Sequence, residues 1–207
     1  GSAAVPPGLF SKNATGRVSP LGKFTGFEDS IEYFFALEPV PSPLLYAVIS
    51  SAKIVEFSSR YPEVAASVVY LETRINSASL PNQGQYLSTL KQVVFWRFDD
   101  KGAVLSYNAW IPNLNLWVGG QVDFANLSVQ AETIQNLCPV IQRRCTDANK
   151  QHNDVAQCVS TLAAKPFGNY DEVWQDNVVC RSIHVVLTLV RPQVHCPHVG
   201  PTGGMKC

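Results

Sequence analysis

The stretch that decides the fold is Lys91-Gln92-Val93-Val94-Phe95-Trp96-Arg97-Phe98-Asp99-Asp100-Lys101-Gly102-Ala103-Val104-Leu105-Ser106-Tyr107-Asn108-Ala109-Trp110. Two runs of β-branched and aromatic residues flank an Asp-Asp-Lys-Gly tetrapeptide, which is the pattern of two strands joined by a hairpin turn. The strands are expected over 90–98 and 103–111. Upstream, residues 68–75 alternate, with Val69, Leu71 and Ile75 on one face and Tyr70, Glu72 and Arg74 on the other. Pro81-Asn82-Gln83-Gly84 reads as a turn. A last strand is expected over 116–124, bulged at Gly119-Gly120.

Outward from this sheet the period changes. Residues 27–37 read as a helix, with Phe27, Ile31, Phe34 and Phe35 on its sticky face and Glu28, Asp29 and Glu32 on a solvated one. Pro39, Pro41 and Pro43 end it, and a second helix is expected over 44–59. Residues 1–26, rich in Gly, Ser, Pro and Ala, read as an extended arm. In the last third, helices are expected over 131–150, 154–164 and 171–190, followed by an irregular tail after Arg191-Pro192. The class is α+β: N-terminal helices and a strongly bent antiparallel sheet, then a helical extension.

All six cysteines fall in that last third: Cys138, Cys145, Cys158, Cys180, Cys196 and Cys207. An even number confined to one region reads as a disulfide framework, with the pairing open. A structural zinc site is the rival reading, but no two cysteines have the close spacing that zinc motifs use. Asn13-Ala14-Thr15 and Asn126-Leu127-Ser128 are acceptor triplets for N-glycans, so Asn13 and Asn126 are candidate glycosylation sites. Together these features point to a secreted, extracellular glycoprotein. With no leader peptide in view, residues 1–207 read as a mature form, Gly1-Ser2 as a cloning remnant, and the terminal Cys207 as the point where a longer tail was trimmed.

The 207 residues carry 16 Lys+Arg against 16 Asp+Glu, and only 15% are charged, well below the roughly 25% of ordinary soluble domains. A balanced charge argues against nucleic acid and against a polybasic membrane patch. Residues 102–122 hold no charge and are long enough to span a bilayer, but Pro112, Gly119-Gly120 and three asparagines break them into strands and turns. No transmembrane segment is expected.

The helices before residue 68 and the strand, acidic-glycine turn and aromatic strand of 91–110 together resemble the NTF2-like (SnoaL-like) superfamily. The whole sequence also looks similar to secreted fungal proteins with a cysteine-rich C-terminal extension. The resemblance implies a cone: a curved antiparallel sheet, covered by N-terminal helices, around an internal cavity. It divides the chain into an arm (1–26), an NTF2-like cone (27–125) and a cysteine-rich helical extension with its tail packed on the cone (126–207). It transfers no catalytic residue, since no diagnostic motif is present.

The chemistry is read from the residues themselves. Trp96, Tyr107, Asn108 and Trp110 are candidates for lining a pocket that takes a small apolar or aromatic molecule; the other reading of these aromatics is plain core. Asp123, Tyr107 and His184 are the candidate acid or base groups. Glu28 and Glu32 are four residues apart, and a solvated face explains them. His195-Cys196-Pro197-His198 places two imidazoles close together in a rigid turn, and His184 can supply a third, so these three are candidate ligands for copper or zinc. Asp176, Arg181 and Arg191 suit an ion pair. Gly200-Pro201-Thr202-Gly203-Gly204 reads as a flexible tail. No nucleophile elbow, zinc-protease helix, Walker loop or dinucleotide fingerprint is present, which disfavours hydrolysis, phosphoryl transfer and hydride transfer. The leading expectation is a ligand-binding protein, with cofactor-free isomerase, cyclase or dehydratase chemistry as its enzymatic form. A non-enzymatic extracellular binding or structural protein and a histidine-ligated metal protein are the alternatives.

Overall fold

The computed structural model describes residues 5–37, 47–76 and 80–207. The chain forms two compact units; among the described residues these are 5–37 with 47–114, and 115–207. They part before the boundary expected at 125/126.

The first unit is an open six-stranded sheet in the order β2-β1-β6-β5-β4-β3. The strands are β1 (Phe10–Ser19), β2 (Gly22–Thr25), β3 (Ala47–Tyr61), β4 (Val64–Ile75), β5 (Tyr86–Phe98) and β6 (Val104–Trp110). The deciding hairpin forms as expected. Asp99 Oδ1 accepts from the amides of Lys101 at 3.0 Å and Ala103 at 2.9 Å, and Gly102 takes the positive φ of +80° that the turn needs. Alternation also holds: Leu90, Gln92 and Val94 of β5 are buried while Lys91, Phe95 and Arg97 are exposed.

Three expectations are corrected in this unit. The arm contains β1 and β2, and β1 runs parallel to β6, from Phe10 opposite Val104 to Ser19 opposite Trp110. The sheet is therefore mixed and not purely antiparallel. Phe10, Ala14 and Val18 are buried in β1, but Gly, Ser, Thr and Asn around them hide the strand signal. The second expected helix is strand β3; of its range, 44–46 lie outside the described residues, as does the proline cluster. Val48, Ile49 and Ile54 mimic helical spacing, but β3 is an edge strand exposed from Ser50 onward, and an exposed strand has no burial alternation to reveal it. Helix α1 is short (Gly26–Glu32) and continues as a π-helical turn over Tyr33–Leu37. The face assigned to solvent holds a buried residue: Glu32 is only 4% exposed, while Glu28 remains outside.

The second unit is helical: α3 (Leu127–Arg144), α4 (Val155–Ala163), α5 (Val178–Leu187) and α6 (Pro192–Val199), with 3₁₀ turns at Asp147–Asn149 and Gly203–Met205. Helix α2 (Leu114–Gly119) leads into it where a bulged strand was expected. Leu114 and Val118, four apart, turn inward while Leu116 is exposed, so the period is helical. Asparagine and aspartate set three helix starts: Asn126, Asp154 and Asn177 accept from the amides of Ser128 (2.9 Å), Gln157 (2.7 Å) and Cys180 (2.8 Å). The core is Leu137, Ile141, Leu162, Val178, Val179, Val185 and Val199. Among the described residues no helix is long and apolar enough to cross a membrane.

Candidate functional site

On the covered face of the sheet, aromatic rings gather around Phe34. Its centroid lies 4.7 Å from Tyr33, 5.1 Å from Tyr107, 5.6 Å from Phe10 and 5.7 Å from Trp96. These are edge-on and tilted contacts, the favourable geometries for aromatic pairs. Two side-chain hydrogen bonds lie within this face. Gln92 Nε2 donates to the Tyr33 hydroxyl, and Trp96 Nε1 donates to Ser67 Oγ at 2.9 Å. Gly16 of β1 lies opposite Tyr107, and a Cβ there would come within 2.3 Å of the ring. Only glycine lets Tyr107 lie flat across the parallel pair.

Of the four expected ligand-binding residues, Trp96 and Tyr107 share this face. Asn108 and Trp110 lie on the other: Asn108 is exposed, and Trp110, 39% exposed, packs edge-on against Phe95 at 5.5 Å. Strand alternation separates neighbours 107 and 108, and 96 and 110 fall on opposite faces. Asp123 belongs to the second unit, where its exposed carboxylate caps a turn by accepting from the Ala125 amide at 3.1 Å. Glu32 is a group that sequence reasoning placed wrongly: among the described residues it is the one buried acidic side chain. Its position on the same turn as Tyr33 was the available signal.

The second unit is held by three disulfides, Cys138–Cys158, Cys145–Cys196 and Cys180–Cys207. The tail that was expected to be irregular is fixed. Cys196 lies on α6, and Arg181, fully buried, donates to the carbonyls of Gly200 (3.1 Å), Pro201 (3.3 Å) and Asn177 (2.8 Å) and to Asp176 Oδ1 at 2.7 Å. The expected ion pair is therefore Asp176–Arg181, and Lys165 joins it at 2.9 Å. These two cations hold the Asp176 carboxyl below its ordinary range against the opposing effect of burial.

The three candidate metal ligands converge. His195 and His198 are three apart on α6, a helix and not the expected turn, so they share one face; His184 faces them from α5. The Nδ1 atom of His184 lies 3.4 Å from that of His195 and 3.2 Å from that of His198. One ring nitrogen from each residue lies within 4.8 Å of the others. Burial is the main cause that holds His184 well below the ordinary histidine range, and His198, His195, Lys206 and Arg181 push the same way. Sγ atoms of Cys180 and Cys207 also approach His184, but both are spent in a disulfide. The fourth histidine, His152, is buried elsewhere in this unit beside the Val199 carbonyl. Asn13 on β1 and Asn126 at the start of α3 are both exposed.

Residues 108–207 match the family model described as the BfoA family C-terminal domain. Over 99% of its length the chain is 27% identical to the bifonsecin B biosynthesis cluster protein A of Aspergillus brasiliensis, covering 71% of that protein. It is 28% identical, again over 99% of its length, to an aurasperone B biosynthesis cluster protein A of Aspergillus niger, covering 69% of it. Among solved structures, a putative SnoaL-like polyketide cyclase from Jannaschia shares part of the fold: TM-score 0.38, 13% identity, 53% of this chain and 72% of that one.

Proposed function

We propose that the protein binds a small apolar or aromatic molecule against the Phe34–Trp96–Tyr107 face and performs cofactor-free acid/base chemistry on it, as a step in the making of a fungal small molecule. The observation that carries this reading is the buried carboxyl of Glu32 on the turn that also supplies Tyr33 and Phe34. A buried carboxyl is the kind of group that removes and returns a proton at carbon, as isomerisation, cyclisation and dehydration require. Relatives named for biosynthesis clusters, matched along nearly the whole chain, support the setting. Three disulfides support export through an oxidising compartment, and the exposed Asn13 and Asn126 support glycosylation on the way.

The bicyclic ketone 2-tetralone tests both halves of the reading. It is flat and apolar, and its α-hydrogens exchange with deuterated water when a base removes them. Binding is expected to quench tryptophan fluorescence, with Trp96→Phe removing most of that change and Trp110→Phe removing little. The protein is expected to accelerate α-exchange, followed by NMR, and Glu32→Gln to reduce that acceleration by at least about 100-fold while leaving binding in place. Binding without exchange overturns the acid/base half in favour of a non-enzymatic binding protein. Absence of binding overturns the whole reading.

A further inference from the structure

The imidazoles of the second unit have a geometry that aromatic packing does not explain. In a tetrahedral site with metal–nitrogen bonds of about 2.0–2.1 Å, ligand nitrogens lie about 3.3–3.4 Å apart. The two Nδ1 separations at His184, 3.2 and 3.4 Å, lie close to that edge length. A neutral imidazole presents either one proton or one lone pair at Nδ1, directed in the ring plane. One such atom cannot form two well-directed hydrogen bonds to two other Nδ1 atoms in different directions. A cation at the centre accepts all three lone pairs.

The surroundings support the same conclusion. Among the described residues, the donor groups gathered around His184 are imidazoles and the sulfurs of a disulfide, with no carboxylate among them. An all-nitrogen donor set suits borderline transition metals and not magnesium or calcium. The donors are also fixed in place. Cys196, between the two histidines of α6, is bonded to Cys145 at the end of α3, and Cys180, one turn before His184, is bonded to Cys207. The glycine turn Gly203–Met205 closes against the ring of His198, where a Cβ on Gly204 would stand 3.1 Å from Cδ2.

We propose that His184, His195 and His198 bind one zinc(II) or copper(II) ion through one ring nitrogen each, leaving one coordination position for a water or a small ligand. Three protein ligands and an exchangeable fourth are the arrangement of a reactive zinc or copper centre, as opposed to a closed structural one. The site and Glu32 belong to different units and share no residue, so either proposal can fail without the other.

The test uses the full chain with its disulfides intact, stripped with chelator and titrated calorimetrically with zinc chloride and with copper chloride. One ion per chain is expected. His195→Gln and His198→Gln should each weaken binding by about 100-fold or more, while His152→Gln, at the buried histidine outside the cluster, leaves it unchanged. The electron paramagnetic resonance spectrum of the copper-loaded natural sequence supplies a readout that needs no variant: hyperfine coupling from imidazole nitrogens supports the site, and coordination by oxygen alone overturns it. Failure to bind either ion saturably, or binding that survives the folded His195→Gln/His198→Gln double variant, also overturns it.

Discussion

Gly16 and Tyr107 show how a single missing side chain decides a packing arrangement. The ring occupies the space that a Cβ at 16 would need, so Gly16→Ala forces the strand pair apart. Its expected effect is a loss of roughly 1–3 kcal/mol of stability, measured by urea unfolding. In combination with Tyr107→Ala the loss is smaller than the sum of the two, because the smaller side chain makes room. His152 gives a pH signature. Burial holds its imidazole below the ordinary range; the Val199 carbonyl opposes that shift and Arg181 adds to it. The unfolded chain, with a histidine pKa near 6.5, therefore takes up the proton first, so stability is full above about pH 6.5 and declines as pH falls below it. The drop in melting temperature between about pH 7.5 and about pH 5 is expected to shrink in His152→Gln. At this scale the histidine trio was legible, because a spacing of three brings side chains together on a helix as well as in a turn. The burial of Glu32 was not. Charge periodicity put it with Glu28 and Asp29, and only the covering of α1 distinguishes them.

Among the elements, the antiparallel hairpins were legible and the parallel and edge strands were not. Strands β4 to β6 announce themselves by alternation and by the Asp-Asp-Lys-Gly turn. Strand β1 takes as its partner β6, the last strand of the sheet in sequence, which no local pattern encodes, and β3 carries no burial contrast. Helix α6, with Pro192 in its first turn and Pro197 within it, looked like irregular chain until Cys196 and Arg181 tied it down. Two predictions belong here. Removing the Cys145–Cys196 bridge, which spans 51 residues, with a Cys145→Ala/Cys196→Ala variant is expected to cost about 4 kcal/mol and to weaken zinc binding as α6 loses its anchor. Arg181→Ala is expected to destabilise by about 3 kcal/mol or more, since it strips buried carbonyls of their donor. Asp176→Asn should lose less than about 1 kcal/mol because that carboxylate is largely exposed. Equal effects in the two variants, measured by denaturant unfolding, would contradict this account.

Across the whole molecule, covalent bracing is confined to one unit. All three disulfides lie in 115–207 and none in the sheet. Calorimetry of the reduced protein is therefore expected to show a melting transition of the helical unit moved to lower temperature and a sheet transition left in place, where the oxidised protein melts later. The clustering of cysteines marked out the braced region in the sequence, whereas α2 was not legible, because its residues were taken for a strand. The parallel pairing of β1 with β6 also sets an order of assembly. A chain synthesised from its N-terminus delivers β1 and β2 long before β6 exists, while β4, β5 and β6 each pair with the strand made just before. The meander can zip as it emerges, but the β1–β2 hairpin must wait for its seat. Once made, and until β1 docks, β6 presents a bare edge to any other nascent chain. Closing it is the last act of sheet formation, performed by the first segment made.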